Sequence, residues 1–278
     1  INHGTISGGT YSCQVENKRG RETGEPDGSI TGGTFRSTVT NTGSISGGTF
    51  HAEVDNQGTI SDGTYSETGV VQNTGTISGG TFASEVDNQG TISGGTYSET
   101  SVVKNTGTIS GGTFLGTVET ENGTIEDSAI VSVNFVNEAG ETMKTVRVLR
   151  GQRITSADLP EFDPTQYGYK KLKYTVGNTD YRDEDKFINE VHFTEDETWV
   201  TVTRISPIAY TITCNLNGGI GRETYTFTVT DPDFTLHNPT KDGYVFTGWG
   251  GTGLEGTSNM TVTIPQGSIG NRTYTANY

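Results

Sequence analysis

Large apolar residues recur along the first 125 positions with a fixed phrase around them. Gly-Thr-Ile-Ser-Gly-Gly-Thr followed by Phe or Tyr appears with Ile at 6, 30, 45, 60, 77, 92 and 109, and a degenerate copy ends at Ile125. The steps are 24, 15, 15, 17, 15, 17 and 16 residues. Each full copy runs on to an aromatic (Tyr11, Phe35, Phe50, Tyr65, Phe82, Tyr97, Phe114), a Val (Val15, Val39, Val54, Val71, Val86, Val103, Val118) and an Asn (17, 41, 56, 73, 88, 105, 122). Three large apolar residues in about 15 cannot offset the chain entropy of a free-standing unit. Stacked units can, so the pattern predicts one coil of a parallel β-solenoid per copy, with the Ile, aromatic and Val columns rising about 4.8 Å per coil. The anchor spacing suggests three sides, with Gly-Gly and Asn-x-Gly at the corners. Residues 41 to 72 and 73 to 104 are near-duplicates over 32 positions, which leaves a single 32-residue coil as the alternative to a coil of 15–17 residues. Eight coils would make a solenoid roughly 40 Å long.

Beyond Ile125 the pattern changes to strict alternation. Val131 to Val136 and Met143 to Leu149 read as a hairpin, Thr155 to Leu159 as the start of a short helix, and Tyr169 to Val176 and Trp199 to Arg204 as further strands. A second module has strands at Tyr210 to Leu216, Thr224 to Val229 and Thr273 to Tyr278. The division that follows is 1–128, 129–206 and 207–278.

Composition supports an all-β chain. Of 278 residues, 49 are Thr, 40 Gly, 21 Val and 18 Ile, against 7 Leu, 7 Ala and 2 Met. That balance disfavours helices and favours strands. Gly does not fall at every third position and Pro numbers only 7, which excludes collagen. No apolar run is long enough to cross a bilayer as a helix. The net charge of -15 sets the chain against nucleic acid or an anionic membrane surface as its main partner. Cys13 and Cys214 lie in separate domains of this scheme and are expected to be isolated thiols.

The phrases Leu216-Asn217-Gly218-Gly219, Pro239-Thr240-Lys241-Asp242-Gly243-Tyr244-Val245-Phe246-Thr247-Gly248-Trp249 and Tyr274-Thr275-Ala276-Asn277-Tyr278 resemble the Listeria–Bacteroides repeat, the internalin B-type B repeat of bacterial surface proteins. The resemblance covers 209 to 278. Residues 129 to 206 look like a divergent relative that keeps Tyr167-Gly168-Tyr169 but has Lys170-Lys171-Leu172 in place of the Gly-Trp phrase. It implies β-grasp-like modules, export to the bacterial cell surface and membership of tandem arrays in larger adhesins or stalks, and it brings no catalytic residues. The expected fold class is therefore all-β dominated, an N-terminal parallel β-solenoid of 15–17-residue coils followed by two small β-grasp-like modules.

Several features invite chemistry. The Asn column is expected to be a structural amide ladder, since calcium coils of the Gly-Gly-x-Gly-x-Asp type need an Asp that these copies lack. His3, His51, His192 and His237 are scattered without ligand spacing, so neither metal nor cofactor is expected. Thr and Ser flanking each Ile would form outward hydroxyl columns resembling those of ice-binding solenoids. A polysaccharide-cleaving solenoid would need converging carboxylates, whereas Glu53, Asp55, Glu85 and Asp87 recur with the duplication, and Asp183 to Asp185 and Glu195 to Glu197 read as solvated turns. Tyr244 and Trp249 are expected in the core of the last module. The 24-residue step carries an insertion between Asn17 and Gly28 with most of the solenoid's basic residues, which makes Lys18, Arg19 and Arg21 the candidate contact residues. The function expected is a non-enzymatic, adhesin-like spacer and interaction surface. The alternative is a dedicated glycan- or host-protein-binding module. The chain opens inside a repeat at Ile1-Asn2-His3-Gly4, which points to part of a larger, multi-domain chain.

Overall fold

A computed structural model of the chain describes residues 1–21 and 27–278. It divides into two compact units, Ile1–Leu159 with Asp185–Val200, and Pro160–Glu184 with Thr201–Tyr278.

The first unit contains the solenoid. Each coil contributes a long strand such as Ser44–Phe50 and a short one such as Val54–Asn56. Both pair in parallel with the coils before and after. Identical residues meet in register: Val39 opposite Val54, Val54 opposite Val71, and Ile45 opposite Ile60. Partners lie 15 or 17 positions apart, so the coil has that length and the 32-residue coil is excluded. Seven short strands stack from Val15–Asn17 to Thr117–Thr120, enclosing about six turns. The Ile strands stack eight layers deep, from Thr5–Tyr11 to Thr124–Ile125, one for each Ile-bearing copy. Seven rises of about 4.8 Å between those eight layers give a stack of roughly 34 Å, near the expected 40 Å.

The core is a set of columns. Ile30, Ile45, Ile60, Ile77, Ile92 and Ile109 are fully buried, as are Val39, Val54, Val86 and Val103. From Tyr11 to Phe114 the rings stack at 4.5 to 5.0 Å between centroids, within 10° of parallel. That spacing is imposed by the strand separation. The aromatic and Ile walls belong to one sheet bent at Gly-Gly, so the three inward walls come from two sheets. At the bend the second glycine of every full copy has φ between 96° and 129°, a region that side chains avoid. The inter-coil register shifts there as well.

The chain that follows the solenoid closes its last coil. Phe114 N–H donates to the Arg150 carbonyl at 2.9 Å, and the Gln152 side-chain amide donates to the carbonyls of Phe114 and Gly116. Ala129 and Leu149 complete the solenoid core. The hairpin Ile130–Val136 with Thr142–Leu149 forms as its alternation predicts. These contacts are why 129–159 and 185–200 group with the solenoid, across the boundary expected at 128. The short helix after Thr155 is a single 3-10 turn, Ser156–Asp158, with a Thr155/Asp158 capping box. Glu184–Glu190 is a helix where solvated turns were expected, and it buries Phe187. The Phe187 ring meets Phe135 and Phe193 edge-on.

In the second unit Tyr169–Val176 and Thr179–Tyr181 form an antiparallel hairpin. A four-stranded sheet runs in the order Thr224–Phe227, Tyr210–Asn215, Arg272–Asn277, Gly248–Gly251. Its two central strands are parallel and both edge strands antiparallel. Trp249 is fully buried in its core and donates its indole N–H to the Asn238 side chain at 3.0 Å. Tyr244, expected beside it, is 62% exposed. The Lys241 ammonium lies 4.6 Å from the Tyr244 ring centre, so the ring covers a lysine at the surface.

Candidate interaction surface

The Asn column is a continuous buried ladder. Each side-chain amide donates to the next Asn carbonyl oxygen at 2.7 Å, from Asn2 through Asn17, Asn41, Asn56, Asn73 and Asn88 to Asn105. The column lines the corner between the Val strand and the next Ile strand, where Asn–NH2 groups also reach backbone carbonyls of the turn. Two assignments change. Thr120, not Asn122, stands opposite Asn105, because the last copy places the position two residues after Val118 on a Thr. Asn2 begins the ladder, which only its pairing with Asn17 reveals.

This corner also carries a row of glycines. A Cβ on Gly58 would lie 2.1 Å from the Gly43 carbonyl oxygen and one on Gly75 2.2 Å from that of Gly58. The same corner borders a groove of about 400 Å³. Its walls are Thr42, Ser44, Gln57, Thr59 and Thr76, and one end is formed by Arg19 and Asp27. Arg19 is fixed through its backbone N–H, which donates to the Thr42 hydroxyl at 3.0 Å. Asp27 accepts from Gly20 N–H at 2.9 Å. The two charged groups stand 4.0 Å apart and are 76% and 59% exposed, so their mutual attraction is weak and both face solvent.

The three basic candidates are thus separated in role. Lys18 is engaged by Glu16 at 2.8 Å, and its ammonium, by hydrogen bond and charge, holds that carboxyl below the usual range. Arg19 borders the groove. Arg21 is exposed at the edge of the loop, and residues 22–26 of the expected loop lie outside the described residues.

Farther along, a smaller groove of about 280 Å³ is lined by Asp87, Lys104, Glu119 and Glu121 among others. Lys104 donates to Glu85 at 2.8 Å, which raises the ammonium's pKa. The Gln72 amide donates to Asp87 at 2.9 Å. The pairs Glu53 with Asp55 and Glu85 with Asp87 sit on coils separated by one intervening coil, about 10 Å apart along the stack. Among the described residues no group of three or more His, Cys, Asp or Glu is placed to hold a metal ion.

Of the two hydroxyl columns flanking Ile, the Thr column stays in register through Thr59, Thr76, Thr91 and Thr108, and the Ser column, though largely exposed, is bonded to the backbone. Ser61, Ser78, Ser93 and Ser110 each donate to the carbonyl of an Ile one coil back, at 3.3 to 3.4 Å. Another Thr column stays in register, Thr10, Thr34, Thr49, Thr64, Thr81, Thr96 and Thr113. Sequence reasoning passed over it, although a Thr precedes the aromatic in every full copy.

No family model, no curated protein and no solved structure matches the chain.

Proposed function

We propose that the chain is a non-enzymatic, adhesin-like segment of an extracellular bacterial surface protein, serving as spacer and interaction surface. The observation that carries this is the division of labour within each coil. Ile, aromatic, Val and Asn are consumed by the interior columns, while the outward positions beside Val on the short strands vary from coil to coil. A scaffold of this kind keeps a fixed rise while its surface is free to change. In the second unit, the sheet with parallel central strands and antiparallel edges supports a β-grasp-like reading of residues 207 to 278, and with it the resemblance to the Listeria–Bacteroides repeat. Antibody labelling of intact producing cells tests the location: surface labelling is expected, and antigen found only after lysis contradicts it.

A second reading, a dedicated binding module, is favoured by the groove at Arg19 and Asp27, which falls on the insertion singled out from sequence. Binding to glycan and host-matrix surfaces by the intact chain, compared with a chain lacking residues 18–27, distinguishes the two. Release of soluble sugar from any polysaccharide contradicts both.

A further inference from the structure

We infer that the groove between Arg19, Asp27 and the Gly43, Gly58 and Gly75 corner is a binding site for an uncharged, hydroxyl-rich oligosaccharide. The inference rests on the binding-module reading and gives it a ligand class.

The backbone of the groove floor is already spent. Thr42 and Gly43 N–H donate to Asn17 O, Gln57 and Gly58 to Asn41 O, Thr59 to Gly43 O, Gly75 to Asn56 O and Thr76 to Gly58 O. An extended peptide that docks by adding a strand needs free N–H and C=O groups along an edge, and these donors are not available to it. Recognition therefore falls to the side chains. Among the described lining residues they are hydroxyls, one primary amide, one guanidinium and one carboxylate, with no aromatic or aliphatic side chain. An apolar peptide anchor finds no pocket in such a lining. A polyanion meets a single cation beside a carboxylate on a chain of net charge -15, an unfavourable field. A neutral polyol suits the set, because each of its hydroxyls both donates and accepts. Arg19 supplies donors only, the Asp27 carboxylate acceptors only, and Gln57 both. Gly43, Gly58 and Gly75 line the groove with backbone that carries no side chain, across three coils. Without a stacking ring the affinity comes from hydrogen bonds that replace bonds to water, so the single site is weak.

The test is titration of the full chain with three uncharged hexasaccharides, of β-1,4-glucose, α-1,4-glucose and β-1,4-N-acetylglucosamine, and with hexagalacturonate as the anionic comparison. Binding is read by ligand-observed NMR. At least one uncharged hexamer is expected to bind at millimolar concentration or below, with at least tenfold loss in Arg19→Ala and in Gln57→Ala and no change in Arg36→Ala. Arg19, Gln57 and Arg36 are exposed, and unchanged thermal unfolding of each variant verifies its fold. Binding of hexagalacturonate alone, no binding of any uncharged hexamer, or binding indifferent to both groove substitutions overturns the assignment. If no sugar binds but a purified matrix protein binds in an Arg19-dependent way, the sugar class falls and the binding-module reading stands. If neither binds, both fall.

Discussion

Replacing Asn73 by Ala probes the ladder at its centre. Asn73 is 1% exposed, accepts from Asn56 at 2.7 Å and donates to Asn88 at 2.7 Å, with weaker contacts to the Gly75 and Thr91 carbonyls. Truncation leaves the Asn88 side-chain oxygen without its donor inside the core. Asn56 keeps the Gly58 and Thr76 carbonyls as partial replacements. One buried orphan costs about 1–3 kcal/mol, and the lost packing brings the total to about 2–4 kcal/mol. Asn2→Ala likewise removes the donor to the Asn17 oxygen, but at the open end of the stack, where water replaces the partly exposed Asn2 amide, so it should cost less than Asn73→Ala. Both Trp lie outside the solenoid, at 199 and 249, so fluorescence does not report on it. Native-state hydrogen exchange does, through Gln89 and Gly90 N–H, which donate to the Asn73 carbonyl. A loss of about 2–4 kcal/mol accelerates their exchange about 30- to 1,000-fold. Asn73→Asp adds a pH signature. Burial raises the new carboxyl's pKa above its unfolded value of about 3.9, so the penalty is largest above the raised folded value, fades as pH falls through it and is gone below about 3.9. An Asn73→Ala cost within about 0.5 kcal/mol of zero, or equal to that of Asn2→Ala, refutes the ladder as a stabilising element.

The remaining predictions concern particular side chains. Gly79→Ala puts a Cβ 2.1 Å from the Ser61 carbonyl oxygen, whereas Gly8, at the same point of the first coil, has open space; denaturant unfolding should show a loss above about 2 kcal/mol for Gly79→Ala and almost none for Gly8→Ala. Burial pushes the Tyr65 and Tyr97 phenols above their ordinary pKa of 10.0. Their contribution to stability is therefore intact below that pH and lost as pH rises above it. Tyr65→Phe with Tyr97→Phe should flatten the alkaline limb of a stability–pH profile, and an unchanged limb counts against the buried phenols. Cys13 is exposed and Cys214 buried with a raised pKa, so a thiol reagent should label Cys13 promptly and Cys214 only on unfolding; equal rates contradict the second unit's core.

The columns were legible because a 15–17-residue period leaves one arrangement for Ile, aromatic and Val, and the spacing of strands does the rest. The end of the Asn column was not, since pairing register rather than letter spacing decides that Thr120 faces Asn105. The Ser column was legible in part: Ser61 is exposed as alternation requires, but its hydroxyl donates to the Ile45 carbonyl of the coil before, a contact seen only once the coils are stacked. Trp249 and Tyr244 were assigned together on chemistry alone. Trp249 lies on a strand of the four-stranded sheet, while Tyr244 follows the turn at Gly243 and stays at the surface. The groove was half visible, because the insertion marks Arg19 while the Gly43, Gly58 and Gly75 floor appears only when coils are stacked.

The central claim, that the chain works as a surface contact segment, is tested most directly by adhesion of beads coated with it to host-matrix and glycan-coated surfaces. Beads carrying the intact chain should adhere, and those carrying Arg19→Ala with Asp27→Ala should not, at equal coating and unchanged thermal unfolding. Adhesion indifferent to those two residues on every surface, or soluble sugar released from the glycan coat, contradicts it.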